Sequence, residues 1–307
     1  MAKEAPASAP VEIHNIPLNG HPVSIEIALG GAKIPILDRL EDPETYVGPR
    51  EFEVVVNFRD LFVKKGLWNS RVPKKERWTP ISTPEGITIL GFFDSEVRGA
   101  LEEIAWIAQK EFYGNDDDCI RYYDLNKFIL GKMANHAHLR RNRTEFLGLI
   151  RAGVVAGEML GISLDEQVLV QTKRLHLKGE AEGDIAIGIT PEDPQRLREI
   201  AGRHLLIADP AGATDSSVVG NLIYLTHLGI KPERVSIWNT VASHKGSLFA
   251  LEAMRALGLN GEIFAGGYSP ALTNRYYLEN EKGKPSVRDA GDGLDRFLPE
   301  RLRLRAI

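Results

Sequence analysis

The chain has 307 residues, 43% hydrophobic and 26% charged, with a formal net charge of -4 that gives no global attraction to nucleic acid or an anionic membrane. No apolar run approaches the roughly 20 residues of a membrane span. The single cysteine, Cys119, excludes an internal disulfide and suits a reducing compartment, so a cytoplasmic globular protein is expected.

The opening MAKEAPASAP has no apolar signal core and reads as a tail. Strand-like pieces follow at VSIEIAL (Val23 to Leu29) and EFEVVVNF (Glu51 to Phe58), with turn signals at Asn19-Gly20, Gly30-Gly31 and Pro84-Glu85-Gly86. From Ser95 to Phe112, Val97, Leu101, Ile104, Ala105 and Ile107 recur at helical spacing and predict an amphipathic helix. After residue 145, strands (LGLI, VLVQT, LLIAD, VSIWNTV, EIFAGG) alternate with helices (GVVAGEML, SVVGNLIYLTHLG, HKGSLFALEAMRALG). That alternation predicts an α/β fold around a parallel sheet. The composition divides near residue 100, giving an N-terminal extension (1–100, partly β) and an α/β domain (101–307).

One segment carries chemistry. LLIADPAGATDSSVV runs from a buried strand into a carboxylate, Asp209, placed at the strand's solvent-facing carboxyl end. Ala211, Gly212, Ala213 and Thr214 are small enough to let backbone amides approach a ligand. Thr214, Asp215, Ser216 and Ser217 then open a helix, whose amides and dipole favour a phosphate. A carboxylate in front of a phosphate cradle suits a ligand with vicinal hydroxyls and a phosphate. The alternative is that Thr214, Ser216 or Ser217 only caps the helix.

Residues 209 to 217 resemble the phosphoribosyl-pyrophosphate (PRPP) motif of type I phosphoribosyltransferases, in particular the uracil phosphoribosyltransferase branch. Leu149-Ile150-Arg151-Ala152-Gly153 resembles that branch's pyrophosphate loop, and Arg174 falls where the family has the arginine of its mobile loop. Asp289-Ala290-Gly291-Asp292, with Asp295-Arg296, resembles its base-binding segment. The similarity spans roughly residues 145 to 298.

The resemblance implies the type I phosphoribosyltransferase fold, transfer of 5-phosphoribose from PRPP to a heterocyclic base, Mg²⁺ as cofactor, and a homodimer or higher homo-oligomer. It implies that residues 211 to 217 hold the 5-phosphate and that Asp209 accepts from ribose hydroxyls, directly or through metal-bound water. Arg151 with the Ala152 and Gly153 amides would meet pyrophosphate, and Arg174 would close over it. Asp289 would face PRPP, while Arg288 and Ala290 edge the base. Three departures stand out: Asp215 and Arg288 replace family glycines, and Gly293-Leu294 are inserted. They leave open an unusual acceptor, or a non-catalytic regulator that binds PRPP or a nucleotide.

Other clusters are weaker. His136 and His138 lack a third metal ligand at useful spacing. Arg140, Arg141 and Arg143 read as a solvated helix face, and Asp116-Asp117-Asp118 as an acidic loop between helices.

Overall fold

In chain order the strands are β1 (Val11–Leu18), β2 (His21–Ala28), β3 (Val54–Asn57), β4 (Ile87–Ile89), β5 (Thr144–Ile150), β6 (Gln167–Leu175), β7 (Ala186–Pro191), β8 (His204–Ala208), β9 (Ala211–Gly212), β10 (Arg234–Ser243), β11 (Gly261–Ser269), β12 (Ala271–Leu272), β13 (Leu278–Glu279) and β14 (Pro285–Val287). The helices are α1 (Ser95–Ala108), α2 (Asp116–His136), α3 (Ala152–Met159), α4 (Ser216–His227) and α5 (His244–Ala256). The computed structural model describes residues 11–18, 21–28, 52–58, 83–108, 116–175, 185–269, 271–272, 278–279, 285–287, 294, 296–299 and 302.

Eleven strands form one sheet in the order β1-β2-β3-β7-β6-β5-β8-β10-β11-β4, with the short β9 on β10. From β6 to β4 every pairing is parallel. From β6 back to β1 every pairing is antiparallel. The result is an α/β fold with a central, mainly parallel sheet flanked by helices, extended by N-terminal strands. Those strands join both edges of the same sheet, through β3 on β7 and β4 on β11.

Strand β8 shows why the layers close. Its five residues read HLLIA, an apolar run suited to a strand covered on both faces. Leu205 and Ile207 enter the core packed by Val218, Leu222 and Phe249 of α4 and α5. Leu206 and Ala208 enter the opposite core, with Ile104, Ile129 and Val155 of α1, α2 and α3. Each fully buried leucine or isoleucine contributes roughly 1.5–3 kcal/mol. In α1, Val97, Ala100, Ile104 and Ile107 are the buried stripe, while Trp106 on the other side is exposed.

Several local expectations are corrected. Asp116, Asp117 and Asp118 are not an acidic loop but the first turn of α2, where acids oppose the helix dipole favourably. Arg141 and Arg143 lie in a short 3-10 turn, not on a helix face, and Arg141 donates to the carbonyls of Leu160 and Gly161. Strands β1, β4 and β7 have no counterpart among the predicted elements. The turn at residues 84–86 is present: Ile87 N donates to Pro84 O at 3.1 Å, and Gly86 takes φ 92°, which favours glycine. Among the described residues, no helix is long and apolar enough to cross a membrane.

Candidate functional site

Strand β5 continues through α3 to β6 on one side, and β8 continues through α4 to β10 on the other. Between β5 and β8 the winding direction therefore reverses. Open α/β sheets bind ligands in the crevice beyond the carboxyl ends of strands at such a switch point. Arg151 directly follows β5 and Asp209 directly follows β8.

Asp209 is half-buried, rather than at an openly solvated strand end. Its backbone N–H extends the sheet to Trp238 O at 2.8 Å, and its Oδ1 accepts from Ala211 N at 3.1 Å. Burial pushes its carboxyl up to about 6, against the pull of the Ala211 amide and the Arg151 charge.

The segment from Ala211 to Ser217 wraps the head of α4. Helix N-caps normally accept a backbone amide through their side chain. Here the N-cap is Asp215, in the left-handed region at φ 53°, and it makes no such bond. Aspartate tolerates that backbone better than most residues. The residue is 5% exposed, and its carboxyl turns instead to Asn239, whose Nδ2 donates to Oδ1 at 3.2 Å. Burial, then the charge of Asp209, pushes Asp215 up to about 7, with the Asn239 amide pulling the other way. The charge of one acid is thus felt by the other across the front of the cradle.

Thr214 and Ser216 are buried, and their hydroxyls lie 2.8 Å apart. Thr214 Oγ1 also accepts from Ser216 N at 3.3 Å. Ala211, Ala213 and Ser217 are the half-exposed members of the segment. Gly212 is required by its neighbour: a Cβ there would stand 1.5 Å from Asn239 Nδ2.

Two cations border this segment. Arg174 Nη2 donates to Thr214 Oγ1 at 2.7 Å from within β6, whose pairing with β7 places it opposite Ile187. Thr172, two residues earlier on the same face, accepts from Asn221 of α4 at 3.1 Å. Arg151 is exposed, with φ 131° outside the usual range for a non-glycine residue. Ala152 and Gly153 open α3, and a Cβ at Gly153 would lie 3.2 Å from Ala208 O, so glycine lets that helix sit against β8. Lys173 faces Arg151: burial and then the arginine's charge lower its pKa.

The structure thus gathers Arg151, Arg174, Asp209 and residues 211 to 217 at one edge. Arg288, Asp289 and Ala290 lie outside the described residues, as do Asp292 and Asp295. Arg296 donates to Asp116 Oδ1 at the start of α2. The sequence reasoning missed Asn239, Ser243 and Lys173. Ser243 Oγ donates to Ala213 O and accepts from Gly246 N, so β10 and the head of α5 brace the cradle from behind. The available signal was the polar pair Asn239-Thr240 inside the apolar strand VSIWNTV, both of them now buried.

No protein-family model matches the chain, and no curated protein matches it. Solved structures do. A protein from Aquifex aeolicus matches at 18% identity and a TM-score of 0.47, covering 68% of this chain and 97% of that one. A hypothetical protein from Neisseria gonorrhoeae with bound ppGpp matches at 16% identity and 0.31, covering 50% and 80%. An adenine phosphoribosyltransferase from Giardia lamblia, complexed with 9-deazaadenine, matches at 11% identity and 0.34, covering 52% and 84%.

Proposed function

We infer that this protein is a phosphoribosyltransferase of the uracil phosphoribosyltransferase type. It transfers 5-phosphoribose from PRPP to a nitrogen of a uracil-like or less usual heterocyclic base and releases pyrophosphate. The observation that supports this most is the meeting of Asp209, Arg151 and the Ala211–Ser217 cradle at the switch point between β5 and β8.

Each residue then has a task. The head of α4, with Ser217 and the backbone from Ala211, holds the 5-phosphate. Arg174 steadies the cradle through Thr214 and meets the anion beside it. Asp209 accepts from ribose hydroxyls, and Arg151 with the head of α3 neutralises the departing pyrophosphate.

Among the described residues no three His, Cys, Asp or Glu side chains form a metal-holding group. The donor set fits Mg²⁺ carried mainly by ligand phosphates and water, with one protein carboxylate, Asp209, beside it. When bound there, Mg²⁺ would supply charge stabilisation for the pyrophosphate. A homodimer or higher oligomer and a cytoplasmic location complete the proposal.

Asp215 favours a second reading, a regulator that binds PRPP or a nucleotide without turnover, because a buried acid at a phosphate cradle opposes the anion. Incubation with PRPP, Mg²⁺ and a panel of bases separates the two. Base-dependent release of pyrophosphate supports the enzyme. Tight PRPP binding with no release for any base supports the regulator.

A further inference from the structure

Asp215 stands where a phosphate cradle is least served by a negative charge. The residue is 5% exposed, at the head of α4. One carboxyl oxygen accepts from Asn239, and the other, Oδ2, has no hydrogen-bond partner among the described residues although it is wholly buried. Asn239 Oδ1 beside it is likewise buried without a partner. A buried carboxylate with one neutral donor is costly, whereas a carboxylic acid could supply a hydrogen to an acceptor.

The groups on the surrounding elements do not neutralise it. Asp209 after β8 adds a second negative charge. Asn239 on β10 is neutral, and on β6 the Arg174 guanidinium donates to Thr214. Arg151 after β5 acts on Asp209 and on Lys173. His244 and Lys245 open α5, which packs against Ala213 through Ser243 and Gly246.

Building on the assignment of residues 211 to 217 as a phosphate cradle, we propose that the cradle takes up one proton from solvent together with its anion, and that Asp215 is where the proton goes. The balance is simple: a carboxylate, a proton and a dianion become a carboxylic acid with the dianion bound beside it. No bond to the ligand forms or breaks. The free carboxyl already sits near neutrality through burial and the charge of Asp209, and an arriving anion pushes it higher. Affinity for the anion therefore falls as pH rises above about 7, by roughly tenfold per pH unit while one proton is taken up. The site would favour phosphorylated ligands in mildly acidic to neutral conditions.

Inorganic sulfate is the probe, because its own charge does not change between pH 6 and 8.5. Calorimetric titration of the whole protein should show affinity falling by about tenfold per unit in the upper half of that range. Buffers of different ionisation enthalpy should report uptake approaching one proton per site at pH 8. Asp215→Asn should bind sulfate with little pH dependence and at least tenfold more tightly than the parent at pH 8. Asp215→Gly should behave alike, and both residues accept the φ of 53° that the position requires. A flat parent profile overturns the proton coupling alone. A slope that survives both substitutions assigns the proton to another group, such as His244, and overturns the role of Asp215. Sulfate failing to bind parent and variants at every pH overturns the cradle assignment and this proposal with it.

Discussion

Gly212→Ala is the sharpest steric test of the cradle. The new methyl would lie 1.5 Å from Asn239 Nδ2, 2.6 Å from its Cγ and 2.9 Å from Asp215 Oδ1. Since Asn239 is wholly buried in β10, the amide cannot swing into solvent, and its 3.2 Å bond to Asp215 must break. Overpacking costs about 1–3 kcal/mol, and losing a hydrogen bond to a charged group adds about 1.5–3 kcal/mol. A loss near 4 kcal/mol would lower the melting temperature by on the order of 10 °C. The loss should also depend on pH. Asp215 has a folded pKa raised to about 7 from an ordinary 3.8, so its penalty is absent below about pH 4 and grows as pH rises toward 7. Without the Asn239 amide the folded pKa rises further, and Gly212→Ala should be more damaging at pH 8 than at pH 5. Thermal and denaturant unfolding of Gly212→Ala, Asn239→Ala and the double variant measure this directly. The double variant should be close to Asn239→Ala alone in stability, because the severe clash with the Asn239 amide is gone and only the 2.9 Å approach to the side-chain oxygen of Asp215 remains. Strict additivity, or a Gly212→Ala protein within about 0.5 kcal/mol of the parent, would refute the argument.

Asp209→Asn should separate stability from function: its folded pKa of about 6 lies above the ordinary value, so at pH 8 the substitution should stabilise by on the order of 1–3 kcal/mol while PRPP binding or turnover falls sharply. Undiminished PRPP affinity in that variant would remove Asp209 from the site. Arg151→Ala should weaken PRPP binding by about ten- to a hundredfold and ribose 5-phosphate binding much less, whereas Arg174→Ala should weaken both, since Arg174 lies against Thr214 of the proposed phosphate cradle. Equal losses for Arg151→Ala in parallel titrations would exclude a pyrophosphate role. At the far end of α4, burial and then the neighbouring His14 lower the pKa of His227, with the two rings 4.5 Å apart. The unfolded chain therefore takes this proton first, stability is lost as pH falls through about 6.5, and His227→Gln should flatten that decline in denaturant titrations at pH 5 and 7.

The parallel half of the sheet was legible because its strands are buried on both faces and separated by amphipathic helices. LLIA and VSIWNTV announce themselves as apolar runs, and Gly229 and Gly258 close α4 and α5 with φ of 71° and 66°. The antiparallel wing was legible only in part, at β2 and β3, where an apolar alternation and an apolar run survive. β1 mixes Glu12, His14 and Asn15 with Pro17, and β4, at the parallel edge, is only ITI, so neither carries enough local pattern; β1 takes its geometry from the β2 hairpin and β4 from the distant β11. In the site, a contiguous motif exposed Asp209 and residues 211 to 217 together. Asn239 could not be paired with Asp215 from sequence, because their contact is made only when β10 lies beside β8. The position of Arg174 was legible, but its hold on Thr214, 40 residues later, was not.

The way the sheet is assembled also sets an order of events for a chain made from its amino end. The β1–β2 hairpin can form locally, yet β3 pairs onward with β7, and β4 with β11, each more than 100 residues further along. Until those partners emerge from the ribosome, β3 has only the β1–β2 hairpin beside it, and Ile87 waits for β11. Closing such long loops is slow, and unpaired apolar strands are where nascent chains associate wrongly. Of these early strands, β3 ends up flanking the β6–β7 pair that carries Arg174, while β4 closes the opposite edge. Support for the strand pair that carries Arg174 is therefore complete only after β7 has met β3, and a chain stalled before β11 would leave β4 unpaired and open to chaperones.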